Sequence, residues 1–321
     1  MRRGQNARGA GNNRQKAMIV VGGNGGDNGS TGGDGGLICH YLWIWGLLLL
    51  FLTGCAVRAP IGEPLLADKR LVVEATFLAA VAQRQERLQC LDAAAELSWR
   101  TLLRSGVLPG YLQLIPPASL KFIGLDPLGR PVLALITDGA TFRLIVIPEA
   151  KIYEGPTTAE AFSRHLPAGL TAAGLPYSLF AWFSGGMPFA SEIIGVYQDT
   201  TWEGYWLEVA DPPGARLLFA PGTGEESTED DPAAGWLLRR IRLYGPDDRQ
   251  STEIIYADFR SVVVAGNGEK VLLPHRIDVQ SRNHHGLSMT IRLSDLLTDC
   301  GLSATDFYLP IPRNFERQPV Q

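Results

Sequence analysis

Residues 118–147 read ASLKFIGLDPLGRPVLALITDGATFRLIVI, and their pattern decides the fold class. Residues 118–125 carry a strand pattern, and Asp126-Pro127-Leu128-Gly129 breaks it with a turn signal through proline and glycine. Residues 130–137 resume the strand pattern and residues 141–147 repeat it. Both faces of 132–136 and 142–147 are apolar, which implies a sheet covered on both sides at this point. The turn has an oddity. Leu128 stands between a rigid proline and a permissive glycine, where turns are normally polar, so it should project into solvent.

The pattern continues in both directions. Leu97, Trp99, Thr101 and Leu103 alternate with Glu96, Ser98 and Arg100, the period-two signature of a strand with one wet face. Downstream, strand patterns fall at 193–198, 202–210, 216–220, 236–244, 253–260, 271–280 and 287–293. In the last, Leu287, Met289, Ile291 and Leu293 alternate with Ser288, Thr290 and Arg292. This makes about eleven strands in two antiparallel meanders, and so many strands should curl instead of lying flat. A curled sheet has a concave face that helices can cover, which makes it a container.

Helical patterns lie before and between the two runs. From Lys69 onward, Val73, Phe77, Val81 and Leu88 form one stripe, while Arg70, Glu74, Arg84 and Glu86 lie elsewhere. Residues 157–165 read as a short helix with Thr157 or Thr158 as N-cap. Residues 176–184 read as another, opened by Pro176 and closed by Gly185, with Leu179, Phe180, Trp182 and Phe183 as a broad apolar face. It is too short to span a membrane, so it must cover something.

Upstream of all this, residues 37–55 (LICHYLWIWGLLLLFLTGC) form an uncharged apolar run ending in Leu52-Thr53-Gly54-Cys55. A branched apolar residue, two small residues and a cysteine fit the bacterial lipoprotein box. The small residues let a peptidase approach, and the Cys55 thiol takes the lipid and becomes the new N-terminus. A plain membrane anchor would need about 20 apolar residues, and this run is barely that long. Residues 1–36 are a Gly- and Asn-rich leader whose glycine tracts lack the strand and the Gly-Lys-Ser/Thr of a phosphate loop. Residues 1–54 are therefore expected as leader and signal peptide, and 55–69 as lipidated N-terminus and tether, with Pro60, Gly62 and Pro64 as spacer. The folded domain is expected over 70–313, with 314–321 as a tail.

The chain has 321 residues with 29 basic and 33 acidic side chains, and its 45% apolar content suffices for a sizeable core. No cluster of Lys and Arg is dense enough for nucleic acid. Residues 222–235 are acidic but lack the alternating ligands of a calcium loop and read as a solvated loop. Catalytic signals are missing. Ser184 before Gly185-Gly186 lacks the first glycine of a nucleophile elbow. His284 and His285 are adjacent and would point to opposite faces of a strand, and His275 reads as a strand residue. No cofactor is implied. Cys90 and Cys300 stand at the two ends of the strand series; outside the inner membrane they can be bridged, or remain two buried thiols.

Two stretches resemble the LolA/LolB family of lipoprotein carriers and receptors, LolB-type proteins above all. Residues 122–129, FIGLDPLG, resemble that family's strand ending in a Pro-Leu-Gly turn, and residues 174–185, GLPYSLFAWFSG, resemble its lid helix. The resemblance covers about residues 70–312 in element order. It implies a mainly β fold with α: an incomplete, half-open antiparallel barrel of about eleven strands with a helical lid over an apolar cavity. Leu97, Trp99, Phe122 and Phe142 from the strands, with Leu179, Phe180, Trp182 and Phe183 from the lid, would then line the cavity. Leu128 would be the membrane-insertion residue. The implied role is an outer-membrane lipoprotein, not an enzyme. It would take lipoprotein or lipid cargo, with a periplasmic LolA-like carrier as a candidate partner. A structural lipoprotein using the same fold as a scaffold is the alternative. Residues 273–277 and 306–310 look more like other LolA-like lipoproteins, and the chain is longer than a typical LolB.

Overall fold

The computed structural model describes residues 62–101, 104–158, 161, 178–189, 191–222, 235–245, 250–264, 268–281, 286–310 and 313–320. All fall within one compact unit, Arg58–Gln321. Cys55, Pro176, His284, His285 and most of 157–165 and 222–235 lie outside the described residues.

The described residues build one sheet of 15 strands in two meanders. The first contains β2 (Leu91–Arg100), β3 (Ser105–Ile115), β4 (Ser119–Leu125), β5 (Pro131–Thr137), β6 (Thr141–Val146) and β7 (Lys151–Pro156). The second contains β8 (Ile193–Gln198), β9 (Tyr205–Val209), β10 (Arg216–Pro221), β11 (Trp236–Tyr244), β12 (Gln250–Val263), β13 (Lys270–Ser281) and β14 (Leu287–Leu297). The last strand of the second run pairs with the first of the first run, Met289 opposite Trp99 and Leu293 opposite Ala95. Two short strands close the margins: β1 (Glu63–Pro64) beside β8, and β15 (Glu316–Pro319) parallel to β7. The two edges do not meet, so the barrel is open.

Four strands exceed the expected eleven, and each escaped for a physical reason. β3 contains Gly106, Pro109 and Gly110, and β7 ends in Gly155-Pro156, which read as turns. β1 and β15 are edge strands too short to show a period. They also draw residues 63–64 and 316–319 out of the expected tether and tail.

Helix α1 (Ala67–Arg87) buries Phe77, Ala80, Val81 and Arg84 against the concave face. Phe77 meets Phe219 edge-on with ring centroids 4.1 Å apart. Helix α2 (Leu179–Ser184) is capped by Ser178, whose hydroxyl accepts the Ala181 N–H at 3.2 Å, and ends at Gly185 with φ of 68°. The main core joins both helices to both meanders, including Leu112, Leu217, Ile241, Ile277 and Ile291. On the opposite face, Leu309 and Phe315 pack over Ala134, Ile145 and Ile152, so β5 and β6 are covered on both sides.

Candidate functional site

Helix α1 is apolar in two directions, and this decides where a ligand can go. Its inner side packs on the sheet. On its outer side Leu71, Val72 and Leu78 are 65%, 65% and 51% exposed. Between the helix and the sheet lies a pocket of about 210 Å³, bounded by Val72, Val73 and Phe77 on the helix and by Tyr205, Phe219 and Trp236 on the strands. Tyr205 and Trp236 stack with ring centroids 5.6 Å apart and form one wall. Apolar surface thus runs from solvent at Val72 into the concave face. The volume is below the roughly 300–1,000 Å³ usual for ligand pockets, enough for the end of one chain.

Arg84 fixes α1 in place. It is buried, and its guanidinium donates to the Gly185 carbonyl at 2.7 Å and the Trp236 carbonyl at 3.5 Å. Burial lowers its pKa to about 10, so it stays charged near neutrality. The Gly185 carbonyl lies at the C-terminal end of α2, where a cation is favoured. The helical period alone put Arg84 off the apolar stripe, whereas here it is part of it.

Helix α2, the expected lid, packs into the core. All six of its residues are buried, and Trp182 is 0% exposed. A helix that is apolar all round belongs inside a core. Trp182 packs edge-on with Phe183 at 4.8 Å and with Tyr256 at 6.4 Å. Leu179, Phe180, Trp182, Phe183 and Phe122 belong to the main core, with Leu97 and Trp99 packed against it. Phe142 sits in a separate cluster with Leu144, Ala161 and Val320. None of these eight lines the pocket under α1. Trp99 instead borders a recess of about 410 Å³ on the far side of the β2–β3 hairpin, with Arg100, Gly106 and Val107.

The Leu128 turn is rigid. Asp126 Oδ1 accepts the Leu128 and Arg130 N–H groups, each at 2.9 Å, and Arg130 Nε donates to Oδ2 at 2.8 Å. The Arg130 backbone and side-chain hydrogen bonds hold the Asp126 carboxyl below its ordinary pKa. Gly129 supplies the φ of 77° that closes the turn. Leu128 is left 77% exposed at the tip.

Cys90 and Cys300 are joined, S–S 2.05 Å, across the seam where β2 meets β14. Among the described residues no three His, Cys, Asp or Glu side chains gather to hold a metal ion. No helix among them is long and apolar enough to cross a membrane.

No protein-family model matches the chain, and no curated protein matches it. Among solved structures, a DUF1329 family protein from Desulfovibrio piger ATCC 29098 superposes with a TM-score of 0.50 at 12% identity, covering 74% of this chain and 97% of its own. That likeness is one of fold. A domain from Vibrio parahaemolyticus, provisionally described as an outer membrane lipoprotein-sorting protein, gives 0.49 at 11% identity, covering 73% of this chain and 96% of its own. The LolA superfamily protein NE2245 from Nitrosomonas europaea gives 0.46 at 10%, covering 73% and 97%.

The pocket residues were missed by sequence reasoning because residues 72–77 and 205–236 meet only in three dimensions. Val72, off the inner stripe, was the available sign that α1 has a second apolar face.

Proposed function

We propose that this chain is an envelope lipoprotein, anchored through Cys55, that takes acyl chains between α1 and the sheet and helps place lipoproteins or lipids in the outer membrane. The observation that carries this reading is the two-sided apolar helix α1 with an aromatic-walled pocket beneath it. A helix apolar on its solvent side is costly in water unless something apolar covers it or passes it. Burying alkyl chain stabilises a complex by about 0.8 kcal/mol per CH₂, and the bilayer offers the same. Near-equal affinities permit hand-over without an energy source, and no bond is made or broken.

Leu128 supports the delivery step. A leucine at the tip of a rigid turn can enter the bilayer interface and gain about 1.5–3 kcal/mol when fully buried. Its backbone needs no rearrangement to do so.

A second reading, a scaffold lipoprotein with a filled cavity, is favoured by the complete burial of α2 and the small volume under α1. The two separate in a reconstituted transfer assay with the lipidated protein and a fluorescent lipidated cargo. The wild type should bind cargo and deliver it to liposomes, and Leu128→Glu should bind it but fail to deliver. Absence of binding by the wild type overturns the carrier role, and delivery by Leu128→Glu at the wild-type rate overturns the insertion role. In cells, Cys55→Ala should lose palmitate labelling and membrane attachment; unchanged labelling would exclude the anchor.

A further inference from the structure

The face of the sheet turned away from α1 and α2 carries a groove of about 500 Å³, lined by residues of β12, β13, β14, β2, β3 and β4. These six strands are consecutive neighbours in the sheet. The groove exists because the strands bend there. Asp258 on β12 and Asp295 on β14 have φ of 57° and 52°, a left-handed conformation that aspartate tolerates better than most side chains. Before the bend Tyr256 pairs with Ile277, and after it Phe259 pairs with Pro274. Tyr256, Ile277 and Phe259 all belong to the main core, and Pro274 lies against Gly185 at the end of α2. The alternation is therefore reset between these pairs, and His275 is turned to the opposite face.

The lining is chemically specific. Arg260 pairs with Asp258 at 2.9 Å and Arg292 with Glu96 at 3.2 Å, all four half-exposed. His275 is only 8% exposed, and its Nδ1 lies 2.9 Å from the Leu293 carbonyl oxygen. A carbonyl can only accept, so Nδ1 carries the hydrogen and Nε2 presents a lone pair. That Nε2 is buried without a hydrogen-bond partner. Burial, with a contribution from the Arg260 charge, holds the ring's pKa below the ordinary histidine value, which keeps this tautomer neutral. An unmet buried acceptor beside two cations and two carboxylates is an arrangement that asks for a donor. Tyr111 adds a half-exposed aromatic surface.

We propose that this groove binds a zwitterion with one phosphate and one ammonium group, of the phosphoethanolamine type. Arg260 and Arg292 take the phosphate, while Asp258, Glu96 and His275 Nε2 receive the ammonium N–H groups. A simple anion would meet two carboxylates as well as two guanidinium groups. A zwitterion exchanges with both ion pairs at once and leaves no charge unmatched. The ligand is a bilayer headgroup or the free molecule, and Leu125 at the groove's edge ends the strand that leads into the Leu128 turn. This site does not depend on the acyl-chain pocket.

The test uses the full chain carrying Cys55→Ala, so that the anchor is absent, in calorimetric titrations with free phosphoethanolamine and inorganic phosphate, and in flotation with phosphatidylethanolamine or phosphatidylglycerol vesicles. Phosphoethanolamine should bind at least tenfold more tightly than phosphate if the free molecule is the ligand. Selective flotation with phosphatidylethanolamine alone identifies the headgroup. In either case Arg292→Gln and Glu96→Gln, whose side chains are half-exposed and leave the fold intact, should each weaken binding at least tenfold at unchanged Tm. His275→Gln should narrow the preference over phosphate or over the anionic vesicle. Equal binding of phosphate or of phosphatidylglycerol overturns the zwitterion, unweakened binding by the two exposed-site variants overturns the site, and no binding to any probe overturns both.

Discussion

Replacing Arg84 by methionine removes a buried charge without leaving a large void, and the structure gives both sides of the balance. The loss comprises a charge-assisted hydrogen bond to the Gly185 carbonyl at 2.7 Å, about 1.5–3 kcal/mol. It also includes the cost of leaving that carbonyl unsatisfied in the core, about 1–3 kcal/mol. The contact to the Trp236 carbonyl at 3.5 Å is long and adds little. The relief is the removal of a desolvated cation. Burial lowers its pKa from the ordinary arginine value to about 10, which at about 1.4 kcal/mol per pKa unit is on the order of 3 kcal/mol. At mid-range the loss is larger by about 1 kcal/mol, so Arg84→Met should destabilise the domain by about that much, roughly a fivefold change in the unfolding constant. Urea unfolding followed by both tryptophan fluorescence and circular dichroism measures it, with the midpoint falling at unchanged slope. A variant as stable as the wild type, or more so, would refute the reasoning, because desolvation would then outweigh the carbonyl contacts. Binding of an acyl probe should rise in the same variant, since α1 loses its tie to α2.

Two further predictions concern the seam and the core. Reducing the Cys90–Cys300 bond frees a loop with a sequence separation of 210, so Cys90→Ser with Cys300→Ser should cost roughly 5 kcal/mol on the chain-entropy account, read from urea midpoints with and without dithiothreitol. Two titratable thiols in the unfolded, unreduced wild type would remove its basis. Trp182→Ala should cost about 4 kcal/mol through the cavity it leaves, while acyl-probe affinity per folded molecule stays unchanged because Trp182 does not border the pocket. A fall in that affinity would show that α2 covers the bound chain.

Strands with a clear period were legible because alternation is a local property. Leu287, Met289, Ile291 and Leu293 face the core as a period of two requires. Residues 132–136 were legible as doubly covered because a strand apolar on both faces has no wet side. β3 was not legible: its glycines and proline mimic a turn, and Gly106 and Pro109 are tolerated because that part of β3 pairs with β2 alone, β4 joining only from Gly110 onward. The apolar face of residues 179–183 was visible, but an apolar helix face does not say whether it covers a cavity or fills one. The answer depends on how much sheet surrounds it, and here Trp182 meets Phe183 and Tyr256 within the surrounding core.

A chain entering beneath α1 would meet less resistance than one entering beneath α2. To admit a chain through α2, the sheet would have to expel six buried residues including Trp182, a cost on the scale of the domain's whole stability. Opening at α1 requires much less. Its N-terminal half already exposes Leu71 and Val72, with Leu78 just beyond, and Val72 stands at the mouth of the pocket. Its hold there includes the Arg70 guanidinium on the Ile193 carbonyl at 3.0 Å, and its C-terminal half is pinned through Arg84. A hinge near Arg84 that lifts the Leu71 end would widen the Tyr205–Trp236 wall without disturbing α2 or the stapled β2–β14 seam. The buried arginine and the exposed leucines on one helix are then parts of a single arrangement, a fixed end and a free end.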